Sequence, residues 1–166
     1  MDKLLEILNY MSLNIKEVIT QNLVNRKINS TNIEEIRLRT NKKIAIKEDQ
    51  SIIFLEYIVK QEDILETFEK ICENSVYSYK KQICEGFITI KGGNRVGITG
   101  SCILEDEKVK NIDYISSLNF RISREKNGCS KDTLKHVLDI ENGTIFNTLI
   151  VSPPRRRQDY SSQRFN

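Results

Sequence analysis

The chain has 166 residues with 39% hydrophobic and 30% charged side chains, the balance of one ordinary globular domain, and its two prolines and seven glycines argue against disorder throughout. No apolar run approaches the roughly 18 residues of a membrane helix, and the acidic residues early in MDKLLEILNYMSLNIKE do not read as a signal peptide; the expected location is the cytoplasm. The net charge of +3 resides in the last twelve residues, RRRQDYSSQRFN, and the preceding body sums to zero, which weakens a basic binding face across the fold.

In chain order, Leu4, Leu5, Ile7, Leu8 and Met11 recur at helical spacing, and Ile15, Val18, Ile19 and Leu23 predict a second helix from Leu13 to about Leu23. After Ser30-Thr31-Asn32, Ile36 and Leu38 alternate with Arg37 and Arg39, and Ile44 and Ile46 alternate with Ala45 and Lys47. This predicts a hairpin turning at Thr40–Lys43, with SIIFLEYIV continuing as strand. Helix returns at QEDILETFEKICEN, where Ile64, Leu65, Phe68 and Ile71 are expected on one face, and Tyr77–Cys84 reads as a short helix.

From Gly86 the pattern turns to strand. Gly92-Gly93 supplies a tight turn between FITI and the run of Val96 and Ile98, and Gly97 reads as a bulge or a close backbone approach. Leu118, Phe120 and Ile122 mark a further strand, with Asn119 and Arg121 facing the other way. A short helix near Thr133–Asp139 and the apolar run TIFNTLIVS follow. The fold class is α+β: helices packed on small mixed or antiparallel sheets. Cys72, Cys84, Cys102 and Cys129, separated by 12, 18 and 27 positions, and the lone His136 lack the pairing of a structural zinc site. They read as buried or half-buried free thiols and a surface histidine.

SVYSYKKQICEGFITIKGGNRVGITG with ISSLNFRISRE is similar to the central pattern of the stage III sporulation protein AA family: a tyrosine-containing helix, a G-[FY]-I-T strand, a GG-x-RVG turn and an N-x-RI-x-RE strand. EEIRLR at Glu34–Arg39 resembles the family's early strand, without the proline usual soon after it, and NTLIVSPP at Asn147–Pro154 resembles the approach to its ATP site. The resemblance implies residues 1–140 as an N-terminal α+β domain, 141–154 as the first strand of a P-loop ATPase core, and 155–166 as an aberrant basic tail. It also implies ATP and magnesium as cofactors of intact members, in which a Walker A loop, G-x-G-K-T-T-L-L-R-D, follows SPP. Here Arg155-Arg156-Arg157 stand there instead, so the chain itself is expected to hold no cofactor and to be no enzyme.

Read one base along, the tail allows that loop. Arginine codons ending in GG give glycines, Gln158 with the G of Asp159 gives lysine, and Asp159 and Tyr160 give threonines. Ser161 and Ser162 give leucines, Gln163 gives arginine, and Arg164 before Phe165 gives aspartate. These codons are permitted rather than forced, and the competing reading is a genuine arginine tail that binds RNA weakly or an acidic partner. In secretion ATPases, which the family resembles, arginines outside the P-loop approach the phosphates. Arg95, Arg121 and Arg124 are the candidates here; the alternative for Arg121 and Arg124 is solvent-facing strand residues with Glu125 as counter-charge. The GGNRVG turn lacks the following helix whose amides would hold phosphate. Implied partners are further copies of the chain and membrane components of the mother cell–forespore channel, with nucleic acid disfavoured; the implied site is the mother-cell cytoplasm. A stand-alone interaction module is the alternative function.

Overall fold

A computed structural model describes residues 3–25, 28–49, 51–123, 131–139 and 142–149, which fall into two compact units, 1–123 and 124–166. In the first unit, the 3.6-residue repeat of the N-terminus produces α1 (Lys3–Leu8) and α2 (Leu13–Val24). Leu4, Ile7, Leu8 and Met11 are buried with Ile15 and Ile19, whereas Leu5 points outward. Ser12 separates the two helices and caps the second, its Oγ accepting the Ile15 N–H at 3.4 Å.

Three strands follow, β1 (Ile33–Arg39), β2 (Lys43–Glu48) and β3 (Ser51–Ile58), joined by turns in which Asn41 and Asp49 take positive φ. The expected hairpin turn between Arg39 and Lys43 is where the alternation placed it. Next comes α3 (Gln61–Ile71), which buries Ile64, Thr67, Phe68 and Ile71. Leu65 was expected on that face and is instead 46% exposed, because one residue advances the helix by about 100° and carries it off the stripe that Ile64 and Phe68 define. The segment at Tyr77–Cys84 is a 3₁₀ turn, Val76–Tyr79, running into α4 (Lys80–Cys84).

β4 (Phe87–Ile90), the turn at Lys91–Gly93, β5 (Asn94–Glu105) and β6 (Lys108–Arg121) complete the unit. Gly92 and Gly93 have φ of 77° and 74°, as a glycine turn requires. All six strands form one antiparallel sheet in the order β3-β2-β1-β6-β5-β4. What reads in the sequence as two separate sheet regions is thus joined by β1–β6 pairing. Ile36, Leu38, Ile44, Ile46, Val96, Leu118 and Phe120 make one face of the sheet and pack with the helices into a single core.

The second unit contains α5 (Lys131–Val137) and a two-stranded ribbon of β7 (Leu138–Asp139) and β8 (Thr144–Ile145). His136 is exposed. Of the apolar run TIFNTLIVS, only Thr144 and Ile145 form strand among the described residues; the run's last three residues, the SPP motif and the arginine tail lie outside them. Cys72 is buried, Cys84 half-buried and Cys102 exposed, the last against expectation, and all three are free; Cys129 lies outside the described residues.

Candidate functional site: the open face of the sheet

Side chains alternate across a sheet, so the residues between the core positions all emerge on the opposite face. Cross-strand register sorts them into rows. One row runs Ile52, Lys47, Glu35, Arg121, Arg95, Thr89 from β3 to β4; the next runs Phe54, Ala45, Arg37, Asn119, Gly97, Phe87. Three stretches of the family resemblance therefore supply three neighbouring strands: EEIRLR lies in β1, Asn119-Phe120-Arg121 end β6 and Asn94-Arg95-Val96-Gly97 open β5.

Of the candidate residues, Arg95 and Arg121 are brought together as direct cross-strand partners, both exposed; Arg124 lies outside the described residues. Arg95 sits over the Phe87 ring, 5.2 Å from its centroid, a cation–π contact that fixes the guanidinium without neutralising it. Arg121 neighbours the carboxylate of Glu35 on its other side. Glu35 also accepts from Arg37 Nη2 at 2.6 Å. Burial pushes the Glu35 pKa up, but the hydrogen bonds from Arg37 and Asn119 and the charges of Arg37 and Arg121 outweigh it and hold the carboxyl below its ordinary value. Arg37 is correspondingly raised.

Glu35, Arg37 and Asn119 are the site residues that sequence reasoning missed. Their signal was the alternation of EEIRLR and LNFR, which puts them in phase with Arg121, yet only the β1–β6 register shows them side by side. A second omission is Asn94. Its Nδ2 donates to the Lys91 carbonyl at 3.0 Å and its Oδ1 accepts the Ser123 N–H at 2.9 Å, which ties the glycine turn to the end of β6 and holds Arg95 beside Arg121. Gly97 is neither a bulge nor a forced close approach: a Cβ there would meet Asn119 Cβ at 3.7 Å, ordinary contact. The close approach is at Gly100, where a Cβ would collide with the Tyr114 carbonyl oxygen.

Toward the β1–β2 turn the same face opens into a cleft of about 400 Å³. Its floor is Ala45, Ile52 and Phe54 and its rim Arg37, Arg39, Lys42 and Lys43. The neutral sum of the body thus conceals segregation: cations collect on the open face. Glu62, Glu66 and Glu69 stand on α3, which packs against the opposite, core face of the sheet.

The Gly92-Gly93 turn leads into a strand rather than a helix, so its amides do not align on a phosphate. Among the described residues no cluster of three His, Cys, Asp or Glu side chains could hold a metal ion, and no helix is long and apolar enough to cross a membrane.

A six-stranded antiparallel sheet, sheathed in helices on one side and presenting paired arginines on the other, defines an α+β protein with a cationic open sheet face. The chain belongs to the family described as Sporulation stage III, protein AA, whose pattern it matches over residues 1–159. It is 32% identical over 123 residues to the stage III sporulation protein AA of Bacillus subtilis strain 168, a match covering 74% of this chain and 39% of that relative. The chain therefore spans about two fifths of the relative's length. Among solved structures, the ATPase DotB of Legionella pneumophila superposes with a TM-score of 0.40 at 11% identity, covering 72% of this chain and 33% of that one.

Proposed function

We propose that this chain is the N-terminal, non-catalytic part of a stage III sporulation AA-type ATPase whose intact form uses ATP hydrolysis to support the mother cell–forespore channel. The observation that carries the reading is the convergence of EEIRLR and the two halves of the central family stretch on adjacent strands, with Glu35, Arg121 and Arg95 in one row. Such a row keeps positive charge in a fixed place at little reorganisation cost, which is how an accessory domain contributes to phosphate chemistry on a core it touches. Arg95 and Arg121, with Arg124 beyond the described residues, are assigned that role in the intact protein. Glu35 and Arg37 are assigned a positioning role. The chain works in the mother-cell cytoplasm, with copies of itself and membrane components of the channel as partners.

The proposal includes the phase slip after Ser152-Pro153-Pro154. Its support is that residues 155–166 allow a complete Walker A reading one base along, starting where the resemblance of NTLIVSPP stops. Sequencing the encoding DNA tests this part: a displaced frame without lysine-threonine codons after the glycines removes it. The role of the arginines is tested in a full-length homologue by replacing the residues matching Arg95 and Arg121 with glutamine. ATP turnover is expected to fall by roughly tenfold or more, the scale of losing a charge aimed at phosphate; unchanged turnover refutes the assignment.

A further inference from the structure

The basic cleft and α3 are complementary surfaces on opposite faces of the sheet. On α3, Ile64, Phe68 and Ile71 face the core, and Glu62, Leu65, Glu66 and Glu69 emerge at intervals of three and four residues as one outward stripe. Leu65 is its single large apolar side chain. Glu66 is engaged by Lys70 at 2.8 Å, whereas Glu62 and Glu69 make no ion pair among the described residues. Glu69 also stands in the last turn of its helix, where the helix dipole disfavours a carboxylate and a cation from outside would relieve it.

The cleft offers the inverse pattern. Its floor holds Phe54 and Ile52, 61% and 46% exposed, large apolar groups on a strand at the sheet's edge. Around that floor, Lys43 is paired with Glu56 at 2.6 Å and Arg37 with Glu35, but the exposed Arg39 and Lys42 have no acidic partner among the described residues. An edge strand with exposed apolar side chains is a surface that natural sheets keep covered.

We infer that α3 of a second copy of this chain docks in the cleft, Leu65 on the floor of Ala45, Ile52 and Phe54, and Glu62 and Glu69 against Arg39 and Lys42. Because cleft and stripe lie on opposite sides of the sheet, the contact is head-to-tail. It leaves a free cleft at one end and a free α3 at the other, and so extends beyond a dimer into a ring or a filament. This gives a surface to the self-association included in the proposed function, and a mass measurement tests it separately from ATP turnover.

The test is sedimentation velocity of the full 166-residue chain at about 0.05 M and about 0.5 M NaCl, where the screening length falls from roughly 14 to roughly 4 Å. Species larger than a dimer are expected at low salt, increasing with concentration, and a monomer at high salt. R39E/K42E alone and E62K/E69K alone each oppose like charges and should be monomeric. An equimolar mixture of the two restores opposite charges at every contact and should regain the wild-type distribution. Circular dichroism of each variant confirms folding, and R39Q/K42Q serves if charge reversal unfolds the chain. A wild-type monomer at low salt, a limiting dimer, association that survives in either reversed variant, or a mixture that stays monomeric overturns the inference. So does saturable binding of an oligouridine strand that R39E/K42E abolishes while the wild type remains monomeric, which would assign the cleft to nucleic acid.

Discussion

Asp63, only 2% exposed, is the joint of the helical layer, and its replacement by alanine is the most informative perturbation of the fold. Its two carboxylate oxygens accept four donors: Ser12 Oγ at 3.0 Å, Asn14 Nδ2 at 3.2 Å, Tyr57 Oη at 2.8 Å and the Lys60 backbone N–H at 3.0 Å. The last bond is the reverse half of a capping box on α3, and the first holds the residue that caps α2. In D63A the Ser12 hydroxyl loses its acceptor in the interior, while the exposed Asn14 and Lys60 and the half-buried Tyr57 regain water in part. Taking about 1–3 kcal/mol for an unsatisfied buried donor and about 1 kcal/mol for the partly solvated bonds together with the cap, the loss is about 2–4 kcal/mol. For a chain of this length that is a fall in Tm on the order of 10 °C.

The pH dependence carries the sign. Burial raises the Asp63 pKa, but the bonds from Lys60, Tyr57, Asn14 and Ser12 together bring it below its ordinary value. A carboxyl lowered on folding stabilises fully above its unfolded pKa of about 3.9 and loses that contribution as pH falls through the folded value. Urea unfolding followed by circular dichroism should therefore show a constant gap between wild type and D63N from neutral pH to about pH 5, narrowing below about pH 4. Burial and the bond to Asp63 push the Tyr57 hydroxyl up to about 12, so it remains a donor throughout that range. A D63A loss under about 1 kcal/mol, or a D63N gap that does not narrow in acid, would refute the view that this network joins α2, α3 and β3.

Three other expectations can be checked on the same protein. G100A drives a Cβ into the Tyr114 carbonyl and must part β5 from β6, so it should cost several times what G97A costs; equal denaturation midpoints for the two would contradict the register. E35Q should cost about 1–2 kcal/mol above pH 5 and progressively less in acid, since Glu35 too is lowered on folding, and chemical unfolding at pH 7 and pH 3 measures the difference. Burial raises the Cys72 thiol to about 11, so under native conditions iodoacetamide should label the exposed Cys102 well before Cys72, as peptide mass mapping reads directly.

Much of the local structure was legible in the residues alone. The apolar repeat of α1 and α2, the alternation of EEIRLR and KIAIKE, and the positive φ at Gly92-Gly93 are short-range consequences of helix period, pleat and steric permission. Family membership was legible for the same reason, since motifs are strings. Where the local rule was coarse it failed: Leu65 fits a loosely drawn apolar face of α3, yet the sheet beneath admits only the narrower stripe of Ile64, Phe68 and Ile71.

The site was a different matter. Alternation says that Glu35, Arg37, Arg95, Asn119 and Arg121 share a phase within their own strands, but not which strand lies beside which. Pairing of β1 with β6 joins residues about eighty positions apart and is decided by how the two apolar faces close over one helical layer. The glycines show the same division, because whether Gly97 or Gly100 is indispensable depends on the carbonyl opposite, which belongs to another strand. Charge behaved likewise: a sum over the chain is indifferent to side, and only the folded sheet put cations on its open face and left glutamates on the outward stripe of a helix packed against the other.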